Sequence, residues 1–230
     1  MCLFSYSINY FKKPLKWIVI YGLISFSCNV LAGAYEDFFE ATQKDQVKVI
    51  SSLLSRGFDP NTVNLEGEPA IFHALKNDSI NSFELLIRHP KAQLNLKNVH
   101  QESVLMLVCL KGNLKLAKLL ISRQADINHP GWTPLHYAAT GGHVAIVQLL
   151  LDESAYIDAE SPNGTTPLMM AARYGSPEAV KLLIEEGADV HLKNQIGLTA
   201  LDFAHQGKRP DAIKLIESAI VQSSLKLKKN

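Results

Sequence analysis

The residues able to do chemistry are few and do not converge. Of the three cysteines, Cys2 and Cys28 fall within the first 34 residues, which leaves Cys109 alone in the remainder. A single thiol closes no internal disulfide, and without a close pair of histidines it completes no zinc site. The eight histidines are scattered along the chain, and there is no G-x-S-x-G elbow, G-x-x-x-x-G-K-[ST] phosphate loop or H-E-x-x-H pair. The residue patterns of acyl transfer, nucleotide hydrolysis and metalloproteolysis are therefore missing. A redox-sensing role for Cys109 would need an exposed thiolate. Its place matches that of Ala139 and Ala172 in similar segments, where burial raises the thiol pKa and makes it inert. The expectation is no catalytic residue, no cofactor and no metal. The more informative side chains are Trp132, Arg173 and Tyr174, of the three types that dominate interface hot spots. Whether they share a face depends on the elements that carry them.

Composition sets the first bound. The chain has 230 residues, 47% of them hydrophobic, and a formal net charge of +1. That describes a globular protein rather than a disordered one, and it lacks the concentrated basic excess of a nucleic-acid binder. Residues 1–34 differ from the rest. Lys12, Lys13 and Lys16 precede the apolar run "WIVIYGLISFSC" (Trp17 to Cys28), and Ala32 and Ala34 supply the A-x-A spacing of a cleavage site. This reads as a secretory signal cut after Ala34. The apolar run is shorter than the roughly 20 residues that cross a bilayer as a helix, which favours cleavage; the long segment before it leaves an uncleaved inner-membrane anchor as the alternative reading. Three of the 23 basic residues and none of the 22 acidic ones lie in this segment, so the mature chain carries a net charge of −2. The expected location is periplasmic or secreted, with no membrane insertion after cleavage.

From residue 34 onward the sequence repeats. "GWTPLHYAATGGHVAIVQLLLD" from Gly131 is followed in the same order of residue types by "GTTPLMMAARYGSPEAVKLLIEE" from Gly164 and "GLTALDFAHQGKRPDAIKLIES" from Gly197. Stepping backwards places further units at Gln101, Gly67 and Ala34, with successive intervals of 33, 34, 30, 33 and 33. A fixed period of this length signals stacked supersecondary units, each too small to bury its own apolar face. Thr133-Pro134 and Thr166-Pro167 open a first short helix with a cap and an N1 proline, and Ser176-Pro177-Glu178 opens a second. Gly142 and Gly175 are expected to end the first helix at positive φ, and Gly57 and Gly187 to close the second. Leu135 and Leu168 should face the stack, and Leu149→Ala should cost roughly 2–5 kcal/mol. The connection "NHPGW" before the fourth unit is three residues short, whereas "RHPKAQLN" carries one extra.

This pattern resembles the ankyrin repeat. The run Gly131-x-Thr133-Pro134-Leu135-His136-x-Ala138-Ala139, with Gly142-His143 and Val147-x-Leu149-Leu150, is close to the family consensus, and the unit from Gly164 nearly so; Glu36-Asp37 and Pro69-Ala70 depart from Thr-Pro. The resemblance implies a mainly α solenoid of about six helix-turn-helix units with β-turn fingers, spanning residues 35–222, with residues 223–230 as a basic tail beyond the last helix. It also implies that His136 ties neighbouring units through hydrogen bonds and that His143 is structural.

Members of that family bind other proteins through finger tips and the exposed inner-helix surface. Carried over position by position, this gives a candidate stripe of Glu102, Leu110, Lys111, Trp132, Arg173, Tyr174 and Leu198. Leu107, Tyr137, Met170 and Phe203 also align but are expected to face between helices as core. The reading is a monomeric, non-catalytic module that binds and steadies or regulates an unidentified protein of the cell envelope, with no nucleic-acid partner. Two alternatives stand beside it: an immunity-type inhibitor of a toxin, and an enzyme whose site would appear as a deep polar pocket with perturbed titrating groups.

Overall fold

The computed structural model describes residues 33–227, with side chains to residue 225. The expected signal segment, apart from its last two residues, lies outside them. Six helical hairpins follow one another. The first pairs α1 (33–43) with α2 (Val47–Ser55), the second α3 (Ala70–Lys76) with α4 (Ile80–Arg88), and the third α5 (Val104–Lys111) with α6 (Leu114–Ser122). The fourth pairs α7 (Pro134–Gly141) with α8 (Val144–Asp152), the fifth α9 (Pro167–Tyr174) with α10 (Pro177–Glu185), and the last α11 (Ala200–Gln206) with α12 (Pro210–Leu227). The odd-numbered helices pack side by side as an inner row, α5 to α7 to α9 to α11, and the even-numbered ones form an outer row.

Helices of seven to nine residues are too short to persist alone in water. Local chemistry starts them and stacking holds them. The hydroxyl of Ser103 accepts from Met106 N at 3.3 Å, that of Thr166 from Met169 N at 3.4 Å and that of Thr199 from Asp202 N at 3.3 Å. Pro134 and Pro167 occupy the first turn, where a missing N–H costs nothing. Asn113 and Ser176 cap α6 and α10 in the same way. Leu135 and Leu168 are wholly buried in the stack, with the small side chains of Ala138, Ala139, Ala171 and Ala172 letting inner helices approach. Cys109 takes the equivalent place and is fully buried, and desolvation pushes its thiol pKa far up.

Repeating polar rungs join the units. Each inner helix leaves carbonyls open at its C-terminal end, and after α1, α5, α7 and α9 a side chain of the next unit's turn fills one of them. Ser79 Oγ donates to Gln43 O (2.9 Å), His143 Nε2 meets Leu110 O (2.9 Å), and Ser176 Oγ donates to Gly142 O (3.2 Å). Arg209 donates to Gly175 O in the same row. A second ladder runs below the fingers: Asn61 Oδ1 accepts from Gln93 N (2.8 Å), Asn95 Oδ1 from Asp126 N (2.9 Å), Asn128 Oδ1 from Tyr156 N (2.9 Å), and the Asp158 carboxylate from Asp189 N (3.2 Å).

Three expectations need correction. Gly142 ends α7 at φ +67° as expected, but Gly175 has φ −76°. Gly175 is required for space instead: a Cβ there would stand 2.3 Å from Ala139 O and 2.9 Å from Ala171 Cα. Leu149 is only half-buried, whereas Leu150 is fully buried, so the adjacent position carries the core contact. The last helix does not stop near residue 222 but runs to Leu227. Gly57 and Gly187 stand just past α2 and α10 at φ +93° and +100°, as expected.

Candidate protein-binding face

The fingers are built by one recurring β-turn. Gly67 N donates to Asn64 O, Gln101 N to Asn98 O, Gly164 N to Ser161 O and Gly197 N to Asn194 O. The first residue of each turn also donates across the finger base, Asn64 N to Glu68 O and Asn194 N to Leu198 O among them. Side-chain oxygens of Asn64, Asn98 and Asn194 brace the same turns from inside. The tips present apolar groups to solvent: Leu65 is 96% exposed, Ile196 77% and Val99 75%. Before the fourth unit this turn is missing. Asn128 keeps its ladder bond, so the three absent residues are removed from the finger alone and the stack beneath continues in register.

Below the short finger, Trp132, Leu110, His136, Tyr137, Thr140 and Met170 line a cavity of about 230 Å³. Its polar groups are committed elsewhere. Thr133 N donates to His136 Nδ1 at 3.1 Å, which leaves Nε2 to donate to Thr165 O at 2.9 Å. His136 is thus neutral and fixed in one tautomer, and burial lowers its pKa to about 4. Tyr137 Oη donates to Glu102 Oε1 at 2.8 Å, while Asn98 Nδ2 donates to Glu102 Oε2 at 2.8 Å. Burial and the adjacent carboxylate push the Tyr137 pKa well up. Thr140 Oγ1 donates to His136 O at 2.7 Å. Trp132 packs edge-on to the His136 ring with centroids 5.1 Å apart. What remains for a visitor is apolar.

The predicted stripe divides by place. Leu110 is 40% exposed at the cavity edge, Trp132 is half-buried in its wall, and Glu102 reaches it through Tyr137. Lys111 pairs with Asp78 at 2.7 Å. Arg173 Nη1 donates to Gln206 Oε1 at 3.0 Å, and its guanidinium lies 5.1 Å from the centroid of the Tyr174 ring. Tyr174 is 51% exposed. Leu198 is away from this group, partly buried against the core, and the exposed apolar residue of its finger is Ile196. Tyr137 and Met170 were expected in the core, but both line the cavity. Helix spacing carried the signal for them: they lie three residues before Thr140 and Arg173, hence on the same face.

The perturbed titrating groups all have structural causes. Cys109 and His136 are buried, Tyr137 and Asp158 are partly buried against a carboxylate neighbour, and the carboxylates of Glu40, Asp45 and Asp202 accept hydrogen bonds from Lys44, Ser82 and Thr199. Among the described residues no three metal-binding side chains gather, and no helix is long and apolar enough to cross a membrane.

Comparison with known proteins places this architecture. A family profile described as "Ankyrin repeats (3 copies)" matches residues 38–130 and 91–161, and one described as "Ankyrin repeats (many copies)" matches residues 154–204. The chain belongs to the ankyrin-repeat family. It is 35% identical over 122 residues to the Notch-regulated ankyrin repeat-containing protein of Xenopus tropicalis, covering 52% of this chain and 81% of that protein. It is 33% identical over 109 residues to ankyrin repeat and SAM domain-containing protein 6 of Rattus norvegicus, covering 46% of this chain. The chain spans 12% of the length of that rat protein and 15% of its mouse counterpart. In structure it resembles the human ASB11 ankyrin repeat domain, with a TM-score of 0.69 and 25% identity over 79% of this chain and 82% of that one. These relatives are vertebrate proteins. Ankyrin repeats are protein–protein interaction modules, and the fold is in general a non-catalytic scaffold.

Proposed function

We propose that this chain is an exported protein-binding module that holds and steadies or regulates a protein of the cell envelope. The observation that carries the binding half of this reading is the open apolar cavity beneath the short finger. Leu110, Trp132, Tyr137 and Met170 present apolar surface on the face the fold leaves unfilled. Exposed apolar groups gathered on one face mark interaction sites. Arg173, Tyr174 and Lys111 extend the surface along the row, and Glu102 fixes its floor by holding Tyr137. The export half rests on the residue types of positions 1–34, and their A-x-A spacing predicts a mature chain beginning at Tyr35.

Affinity capture tests the first half. A C-terminally tagged full chain is expected to retain one dominant protein from an envelope extract, and a Trp132→Ala, Tyr174→Ala double variant that keeps its helical circular dichroism should lose it. Retention by both forms would move the surface elsewhere, and retention by neither would remove the binding role. The identity of the captured protein separates a resident envelope enzyme from a toxin. N-terminal sequencing of the chain recovered from the same cells tests export; a first residue of Met1 would overturn cleavage.

A further inference from the structure

We propose that the occupant of this face is an extended segment of the partner that carries one large apolar side chain and, about three residues away, a carboxylate. The proposal rests on the protein-binding reading above and specifies the partner's chemistry where it touches the stack. The cavity between Leu110, Trp132 and Met170 has room for a side chain rather than a helix, at about 230 Å³. Its polar neighbours are already satisfied within the protein, through His136 to Thr165 O, Tyr137 to Glu102 and Thr140 to His136 O. A polar group entering there would lose its water without a partner, which is costly. An apolar side chain loses nothing. The missing finger turn opens the approach at this one unit.

Charge complementarity supplies the second element. Leu110, Thr140 and Arg173 occupy equivalent positions on α5, α7 and α9, so the guanidinium follows the cavity in the row, one turn beyond Met170. On the other side, the cation Lys111 is held by Asp78 at 2.7 Å. Arg173 has no such carboxylate within 4.0 Å among the described residues, and neither do Lys208 or Arg209 in the next turn. Positive charge on this side of the cavity is therefore not offset by a carboxylate, and Arg173 is held in place by Gln206 Oε1 at 3.0 Å and the Tyr174 ring, as a positioned cation for an incoming acid. Packed helices lie about 8–10 Å apart, and an extended chain of polyproline-II type advances about 3.1 Å per residue and returns to the same face every third residue. The apolar and acidic residues of the segment are then about three positions apart.

Selection from a displayed random dodecapeptide library on the immobilised full chain tests this, with Thr140→Phe and Arg173→Glu variants panned in parallel. Thr140→Phe fills the cavity, and Arg173→Glu reverses the neighbouring charge. Enriched peptides are expected to share a large apolar residue with Asp or Glu about three positions away and to bind the Thr140→Phe protein at least tenfold more weakly. On the Arg173→Glu protein the apolar preference should persist while Lys or Arg replaces the acid. If Thr140→Phe fails to fold by circular dichroism, Leu110→Glu at the exposed cavity edge takes its place. Enrichment of an unrelated pattern, binding indifferent to both variants, or no enrichment would each overturn the proposal. Capture of a protein by the full chain would still stand in those cases, so the two ideas fail separately.

Discussion

His136 shows how a titratable residue can be structural throughout. Its two ring nitrogens meet Thr133 N and Thr165 O, and the arrangement exists only for the neutral ring. Burial lowers its pKa to about 4 from an ordinary 6.5, so the folded state binds the proton more weakly than the unfolded chain. Its stabilisation is full above pH 6.5 and is lost as the pH falls from there through about 4, a change of about 3 kcal/mol. Urea midpoints of the wild type and a His136→Gln variant should differ most at neutral pH and converge towards pH 4. Asp158 is the opposite case. It takes the ladder place that asparagine fills at Asn61, Asn95 and Asn128, and desolvation with the nearby Asp189 raises its pKa, against the Asp189 N–H bond. Its charge therefore costs stability, a cost that is absent below the ordinary value of 3.8 and grows as pH rises through the raised one. Asparagine also has a donor: Asn61 Nδ2 reaches Lys91 O and Asn128 Nδ2 reaches Ser154 O, two residues before the N–H each accepts. Asp158→Asn should gain the corresponding bond to Gly187 O and raise stability at pH 7 by about 1 kcal/mol, seen as a higher thermal midpoint.

At the scale of the helix, packing decides between neighbours in sequence. Leu150→Ala should cost about 2–5 kcal/mol, and Leu149→Ala clearly less, because only the first empties a fully buried site. Gly175→Ala should cost about 1–3 kcal/mol through collision with the immovable Ala139 carbonyl. Denaturant unfolding of the three variants ranks these effects; equal losses for Leu149 and Leu150 would refute the burial argument. The units, their order and the Thr-Pro and Ser-Pro starts are legible in the sequence, since each follows from spacing and local hydrogen bonding, whereas the role of His136 comes from the family resemblance. Gly175 was misread because its demand comes from α7, thirty-odd residues earlier. Alignment puts Tyr137 and Met170 in the core because it gives one row a single environment. The cavity beside the short finger takes in that row at the fourth and fifth units, which alignment alone does not reveal. The end of α12 was placed too early because a basic tail and a fraying helix share the same composition.

The whole molecule is a one-dimensional stack in which each unit contacts only its neighbours, so its units need not be equally firm. None of α2, α3 and α4 has a side-chain hydrogen bond from its N-cap residue, whereas α5, α6, α9, α10 and α11 all have one; α7 and α8 also lack it but stack between the capped α5–α6 and α9–α10 pairs. Each such bond contributes about 1 kcal/mol. Amide hydrogen exchange should therefore release α2–α4 before α5–α11, and simultaneous exchange of both halves would show that the caps do not set the order. The cavity and Arg173 lie in the third to fifth units, behind the end that opens first. Mild heat or denaturant would then melt the first two units while leaving the partner's seat intact. The uneven capping works as a fuse: what gives way early is the part of the stack that the partner does not hold.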